Sequence, residues 1–233
     1  MNKLIIANHK MNMDFDNVKN YLNKLPNNLD NVIFFASSLF IPYFKEKELN
    51  IGIQNISVHE NGSFTGEISI NQVKSLGVKY VLVVHSEVRK NLHDSNKLIN
   101  EKIKLCIKNN IIPVLCIGED YNEYTLHKTK DVIKKELDEC LKGIRGDKII
   151  VAYEPIWKIG QDKPLNVNEM QNIIDFIKNI INNYQFNDTM VLYGGSIDEN
   201  NIKEILDTNV DGVLVGNASA NIDKFKKIIE VTK

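Results

Sequence analysis

Residues 147–155 read DKIIVAYEP. Ile149, Ile150, Val151 and Ala152 are apolar without a break, Tyr153 continues them, and Glu154 follows at once. An unbroken apolar run of this length, rich in β-branched residues, reads as a strand covered on both faces, the habit of parallel sheets. A carboxylate at the mouth of such a strand is partly desolvated, which costs stability unless the group has a partner or a task.

Seven more runs of this kind span 3–8, 31–36, 50–54, 80–84, 112–117, 190–193 and 211–215, and the quoted strand is read as 148–153. Helical patterns lie between them. DSNKLINEKIKLCIKNN sets Leu98, Ile99, Ile103 and Ile107 on one face. NVNEMQNIIDFIKNIINNY opens on Asn166-x-x-Glu169, a capping-box pattern, and continues with Ile173, Ile174, Ile177, Ile180 and Ile181. TKDVIKKELDECLKGI and DENNIKEILDTN behave alike, and no linker or compositional break divides the chain.

Eight strand–helix alternations in 233 residues suit one closed (βα)8 barrel, a fold that takes about 250 residues. A doubly wound open sheet is the rival; it favours a Gly-rich turn after the first strand, where this chain has ANHKMN. The expected architecture is therefore α/β, a single (βα)8 barrel domain over 1–233.

Composition narrows the function classes. Apolar residues make up 43%, charged residues 25%, and the net charge is −1, so nothing points to nucleic acid or a membrane surface. No apolar run approaches the roughly 20 residues that span a bilayer, and MNKLIIANHK turns polar too soon for a signal peptide. Cys106, Cys116 and Cys140 are scattered, matching neither a disulfide framework nor a metal site; free thiols in a reducing cytoplasm are expected. His59-Glu60 and His93-Asp94 lack a third ligand at a telling spacing, so no metal is expected.

Barrel chemistry sits at the C-terminal ends of the strands. Those ends carry Asn8, His9 and Lys10 after the first strand, His85, Ser86 and Glu87 after the fourth, and Glu154 after the sixth. Gly194, Gly195 and Ser196 follow the seventh, and Gly216 and Asn217 the eighth. Singly, each has a structural reading: Lys10 a solvated cation, His85 a hydrogen-bonded core residue, Gly194-Gly195 a turn. Glu154 resists one, because Glu seldom ends a buried strand unpaired. Together on one barrel face they suit a phosphorylated carbonyl compound. The last two loops offer backbone N–H groups to phosphate, and Lys10 adds positive charge. A carboxylate and a neutral imidazole suit proton abstraction beside a carbonyl, with Asn8 a second donor to its oxygen. An isomerase or lyase is expected.

These motifs resemble the triosephosphate isomerase family over nearly the whole chain: ANHKMN, QNISVHENGSFTGEIS, HSEVRK, AYEPIWKIG, YGGSI and GVLVGNASA. The resemblance implies a cofactor-free cytoplasmic enzyme, a TIM barrel acting in glycolysis and gluconeogenesis. It implies Glu154 as base, His85 as neutral electrophile, Lys10 paired with substrate charge and Asn8 holding substrate oxygens. Gly160, Gly195, Ser196, Gly216 and Asn217 would contact phosphate, and Ile159 and Leu214 would close over the substrate. Ser86, Glu87, Cys116 and Tyr193 would lie behind these, Glu87 as partner of Asn8 or Lys10 and Tyr193 as a lid latch. The lid would comprise Pro155, Ile156, Trp157, Lys158, Ile159, Gly160, Gln161, Asp162, Lys163 and Pro164. A loop tip of Asn61, Gly62, Phe64, Thr65 and Gly66 would insert near Met11 of a second copy, making a homodimer in which Thr65 reaches the other active site. His9, Val88, Lys158, Gln161 through Pro164, and Asn217 depart from the family pattern. Asn217 replaces a glycine and is expected to tolerate a left-handed backbone.

Overall fold

A computed structural model describes residues 3–161 and 164–232. Eight parallel strands close in sequence order, β1 (Leu4–Asn8), β2 (Val32–Ala36), β3 (Asn50–Ile53), β4 (Tyr80–Val83), β5 (Ile112–Ile117), β6 (Arg145–Tyr153), β7 (Gln185–Tyr193) and β8 (Gly212–Val215). β8 pairs back onto β1, Ile5 opposite Val213 and Ala7 opposite Val215. The expected barrel is what forms.

Two cores follow from the two-residue alternation of strand side chains. Ile6, Ile33, Phe35, Leu82, Val114, Cys116, Ile150, Ala152, Leu192 and Leu214 point inward and fill the barrel. Their neighbours along each strand, such as Ile5, Phe34, Val81, Leu115 and Val151, point outward into a larger core under the helices. The helices present the apolar faces their spacing predicts: Ile99 and Ile103 from Asn96–Lys108, and Ile173, Ile174 and Ile177 from Val167–Ile181, are all buried.

Two strands are longer than expected. β6 begins at Arg145 and β7 at Gln185, five residues ahead of Met190. Below the closed barrel β6 and β7 pair only with each other, Arg145 opposite Gln185 and Gly146 opposite Phe186 in the added lengths, then Lys148 opposite Asp188. Water reaches them, so polar residues serve: Lys148 pairs with Asp188 at 2.7 Å, and Asn187 donates to Asp147 at 3.0 Å. A search for apolar runs passes over such a segment. The capping box is also only half formed. Asn166 Oδ1 accepts the N–H groups of Asn168 and Glu169, but the Glu169 carboxylate accepts the Tyr124 hydroxyl at 3.4 Å instead of returning to the cap.

Three of the four residues weighed as metal ligands are engaged elsewhere. Asp94 pairs with buried Lys102, Glu60 pairs with Lys108, and His59 stacks on Phe64 with ring centroids 3.7 Å apart.

Candidate active site

Alternation also delivers the base. Ile150 and Ala152 point into the barrel, so Glu154 does too, one step above the packed interior. Its backbone is fixed on both sides: Glu154 N–H donates to Ile117 O, and Gly194 N–H donates to Tyr153 O, both at 2.8 Å. Gly194 is glycine because the carboxylate's stem passes over it; a Cβ there would lie 2.8 Å from Glu154 Cγ. Gly194→Ala is expected to displace the carboxylate and lower kcat roughly 10- to 100-fold, since a misplacement of about 1 Å suffices for the larger figure. Steady-state kinetics beside an unchanged circular dichroism spectrum check this.

His85 reaches the same cavity by a different device. Tyr80 and Leu82 face inward, so Val84 should follow, yet Val84 lies in the outer core with Val81 and Val83. Its φ is +64°, a costly conformation for a β-branched residue. This twist breaks the alternation and turns His85 toward Glu154. The helix Ser86–Leu92 starts immediately, and Glu87 N–H donates to His85 Nδ1 at 3.2 Å. An accepting Nδ1 carries no proton, so the neutral imidazole holds its hydrogen on Nε2. Nε2 lies 3.0 Å from Glu154 Oε1, but its N–H is not aligned for a hydrogen bond, and Oε1 has no hydrogen-bond partner among the described residues. Burial, the largest single influence, lowers the proton affinity of His85, but the close Glu154 carboxylate and the Glu87 charge together outweigh it and leave the pKa above the ordinary histidine value.

Lys10 is held at a left-handed backbone, φ +51°. Its N–H donates to Asn8 Oδ1 at 3.1 Å, and Gln54 Nε2 donates to both Lys10 O and Phe35 O at 2.9 Å. Lys10 Nζ then meets Glu87 Oε1 at 2.7 Å. Of the two partners weighed for Glu87, the lysine is the one it takes. Asn8 is buried and absent from the cavity lining; its side chain caps the Lys10 turn where a contact to a reacting oxygen was expected. Ser86 N–H stands 3.5 Å from Glu154 Oε2. Cys116 lies in the barrel interior, where burial first and Glu154 second push its thiol well above the ordinary value, so it is no nucleophile.

The cavity measures about 460 Å³. Lys10, His85 and Glu154 line one part, and Gly194, Gly195, Ser196, Gly216 and Asn217 another, with Leu214 from the barrel below. Asn217 begins the helical turn Asn217–Ala220, and its φ is not positive. It therefore needs no left-handed tolerance, which corrects the expected reason that asparagine fits there. Gly195 is confined by Tyr193, whose hydroxyl oxygen would lie 2.1 Å from an added Cβ.

Ile159, Gly160 and Gln161 bring the lid segment to the cavity wall. Ile156–Lys158 forms a 3-10 turn after Pro155. Trp157 Nε1 donates to Glu119 Oε1 at 3.0 Å, and its ring packs on Tyr124 with centroids 4.1 Å apart. Lys158 Nζ lies 4.9 Å from the Trp157 ring centre, and the Ser196 hydroxyl donates to Lys158 O at 2.7 Å. Pro164 is half-buried, and beyond it Leu165 N–H donates to the Tyr193 hydroxyl at 3.1 Å. The lid residues Asp162 and Lys163 lie outside the described residues. Among the tip residues, Asn61, Gly62, Phe64, Thr65 and Gly66 are exposed, as is Met11.

Glu119 and Gln54 escaped the sequence reading. Glu119 is fully buried and also accepts the Tyr153 hydroxyl at 3.2 Å; burial raises its pKa against the Trp157 and Tyr153 bonds that lower it. It follows Ile117-Gly118 at the end of β5 and gives the same signal as Glu154, a carboxylate just beyond a buried strand. Gln54 likewise stands one residue past β3.

This fold and cavity define a (βα)8-barrel enzyme with its polar site at the C-terminal ends of the strands. Residues 3–232 match the family described as triosephosphate isomerase. The chain is 40% identical over 242 residues to a triosephosphate isomerase of Mycoplasmopsis pulmonis (strain UAB CTIP), covering 97% of this chain and 96% of that one. It is 37% identical over 243 residues to that of Mesomycoplasma hyorhinis, covering 99% and 98%. It is 40% identical over 189 residues to that of Alkaliphilus oremlandii (strain OhILAs), covering 78% and 76%. The chain belongs to the triosephosphate isomerase family, isomerases of phosphorylated trioses. No helix among the described residues is long and apolar enough to cross a membrane.

Proposed function

We propose that this cavity interconverts dihydroxyacetone phosphate and D-glyceraldehyde 3-phosphate by proton transfer through an enediolate. One observation carries the reading: Glu154 Oε1 is buried, lacks a hydrogen-bond partner among the described residues, and faces the imidazole Nε2 at 3.0 Å. Abstraction beside a carbonyl needs a base at carbon and a donor at oxygen, where negative charge develops. Glu154 takes the proton from one carbon and returns it to its neighbour. His85 gives its Nε2 proton to one oxygen and recovers one from the other. As Glu154 turns to the substrate carbon, the charge that raises the His85 pKa withdraws. Burial and the Glu87 N–H then both favour the neutral ring.

Lys10 holds substrate charge, with Glu87 and Asn8 fixing the lysine. The N–H groups of Gly160, Gly195, Ser196, Gly216 and Asn217 take the phosphate, and Ile159 and Leu214 wall off water. Closure of the segment from Pro155 to Pro164 protects the enediolate from losing phosphate. Because the step is reversible, it serves both glycolysis and gluconeogenesis. A Schiff-base reaction at Lys10 is disfavoured by its 2.7 Å pairing with Glu87, which occupies the side-chain nitrogen. A coupled assay with glyceraldehyde 3-phosphate tests the proposal, with phosphoglycolate expected to inhibit as a mimic of the enediolate; absence of turnover refutes it.

The enzyme is read as a homodimer with two-fold symmetry. Phe64 is 43% exposed and Met11 95% exposed, large apolar side chains on the loops that follow β3 and β1. His59 stacked on Phe64 gives the tip a defined shape. Thr65 would then approach the second copy's cavity. Phe64→Asp is expected to yield a monomer with activity lowered at least tenfold, about the loss that attends the removal of one positioned contact. Sedimentation velocity checks it; a wild-type protein that sediments as a monomer contradicts the reading.

A further inference from the structure

We infer that Lys224 is a further substrate-binding residue, a cation that draws the phosphate dianion into the cavity; this rests on the isomerase reading above. Lys224 lies in the first turn of the helix Ile222–Val231, far from Lys10 in sequence, yet both line the same cavity. Among the described lining residues these two are the lysines, and there is no arginine. Lys10 is already paired with Glu87 at 2.7 Å. Lys224 is not so committed. Its nearest acid, Glu199 Oε2, is 3.9 Å away, beyond hydrogen-bond range, and that oxygen is buried without a hydrogen-bond partner. The carboxylate keeps the ammonium near the mouth without binding it there.

The position also runs against local helix physics. The first turn of a helix carries partial positive charge from its unpaired N–H groups and favours acids, as Asp223 illustrates. A lysine beside it opposes the dipole, and its contact with Glu199 at 3.9 Å is longer than a hydrogen bond. Asn221 caps this turn, its Oδ1 accepting the N–H groups of Asp223 and Lys224 at 3.1 Å, so the stem of Lys224 starts from a fixed backbone. A local rule broken at the wall of a binding cavity marks a residue kept for its ligand. A phosphate monoester carries a charge of about −1.5 to −2 near pH 7. Helix end and ammonium together make a positive field beside the turns that receive it, and such fields raise association rates in a salt-dependent way.

Lys224→Gln is compared with wild type and Lys224→Arg, using glyceraldehyde 3-phosphate at low and high ionic strength and unphosphorylated glyceraldehyde as a neutral substrate. At low salt Lys224→Gln is expected to lower kcat/KM for the phosphorylated substrate roughly 3- to 10-fold, through KM, with the gap closing as salt screens the charge. Lys224→Arg retains the wild-type value. Turnover of glyceraldehyde stays the same. An unchanged low-salt kcat/KM in Lys224→Gln, or an equal loss on both substrates, overturns the inference while the wild-type enzyme still isomerises. A wild-type enzyme without isomerase activity overturns the reading on which it rests.

Discussion

Replacing Glu154 with glutamine lowers kcat for glyceraldehyde 3-phosphate by roughly 10²- to 10⁴-fold, the usual contribution of a positioned general base, and leaves the barrel folded. The residue is 1% exposed, and its Oε1 has no hydrogen-bond partner among the described residues. A buried charge without full satisfaction costs stability, so the neutral amide is expected to fold at least as well as the acid. Lost activity without lost stability is the signature of a group kept for chemistry rather than packing. Glu154→Asp keeps the charge but draws it back by one methylene. A shift near 1 Å at a reacting atom costs about 10² in rate, so this variant is expected to fall between glutamine and wild type. Steady-state kinetics and thermal melts on the two variants make the test. Near-wild-type turnover in Glu154→Gln would falsify the assignment of the base.

The eight-stranded plan was legible because a barrel strand is dry on both faces, and an unbroken apolar run records that dryness. The same criterion missed the start of β6 and the lower half of β7, Arg145–Asp147 and Gln185–Thr189, which lie in contact with water. Glu154 was legible by parity, since residues 150, 152 and 154 share one side of the strand. His85 was legible from its place just after the fourth strand and from the family resemblance, but not by parity. Parity would have aimed residue 84 inward, and only the backbone reversal at Val84 hands the position on to the next residue. A φ of +64° at a valine leaves no trace in composition or spacing. Asn8 shows the converse. Parity turns it inward, but the Lys10 turn takes up its side-chain oxygen. Lys224 was invisible for a third reason: it sits in a helix on the outer layer and meets the cavity only through the closure of the barrel.

Acid is expected to unfold this protein sooner than its His9→Phe variant. Asn8 points inward, so His9 points out of the barrel, into the layer between strands and helices. There its ring packs among Tyr21, Phe34 and Phe44, with centroids 4.9, 6.0 and 5.6 Å away. Neither ring nitrogen has a hydrogen-bond partner among the described residues, and burial lowers the pKa from 6.5 to about 3. Between those values the unfolded chain binds a proton that the folded chain refuses. Stability from this site is therefore complete above pH 6.5 and drains away as the pH falls, by about 2 kcal/mol at pH 5. Glu136 works in the opposite sense. Burial raises its carboxyl to about 7 despite Arg89 beside it, so its contribution grows as the pH drops below that value. The wild-type profile alone mixes the two, and the difference between wild type and variant isolates His9. Urea unfolding of wild type, His9→Phe and His9→Leu at pH 7.5 and pH 5 is the measurement. Phenylalanine removes two unpaired nitrogens but adds volume, so the pH 7.5 values report packing as well as polarity. The change between the two pH values does not. Wild type is expected to lose about 2 kcal/mol relative to both variants on going to pH 5. Parallel losses in all three proteins would show that His9 finds a proton acceptor in the folded state and does not titrate as a buried, unpaired ring.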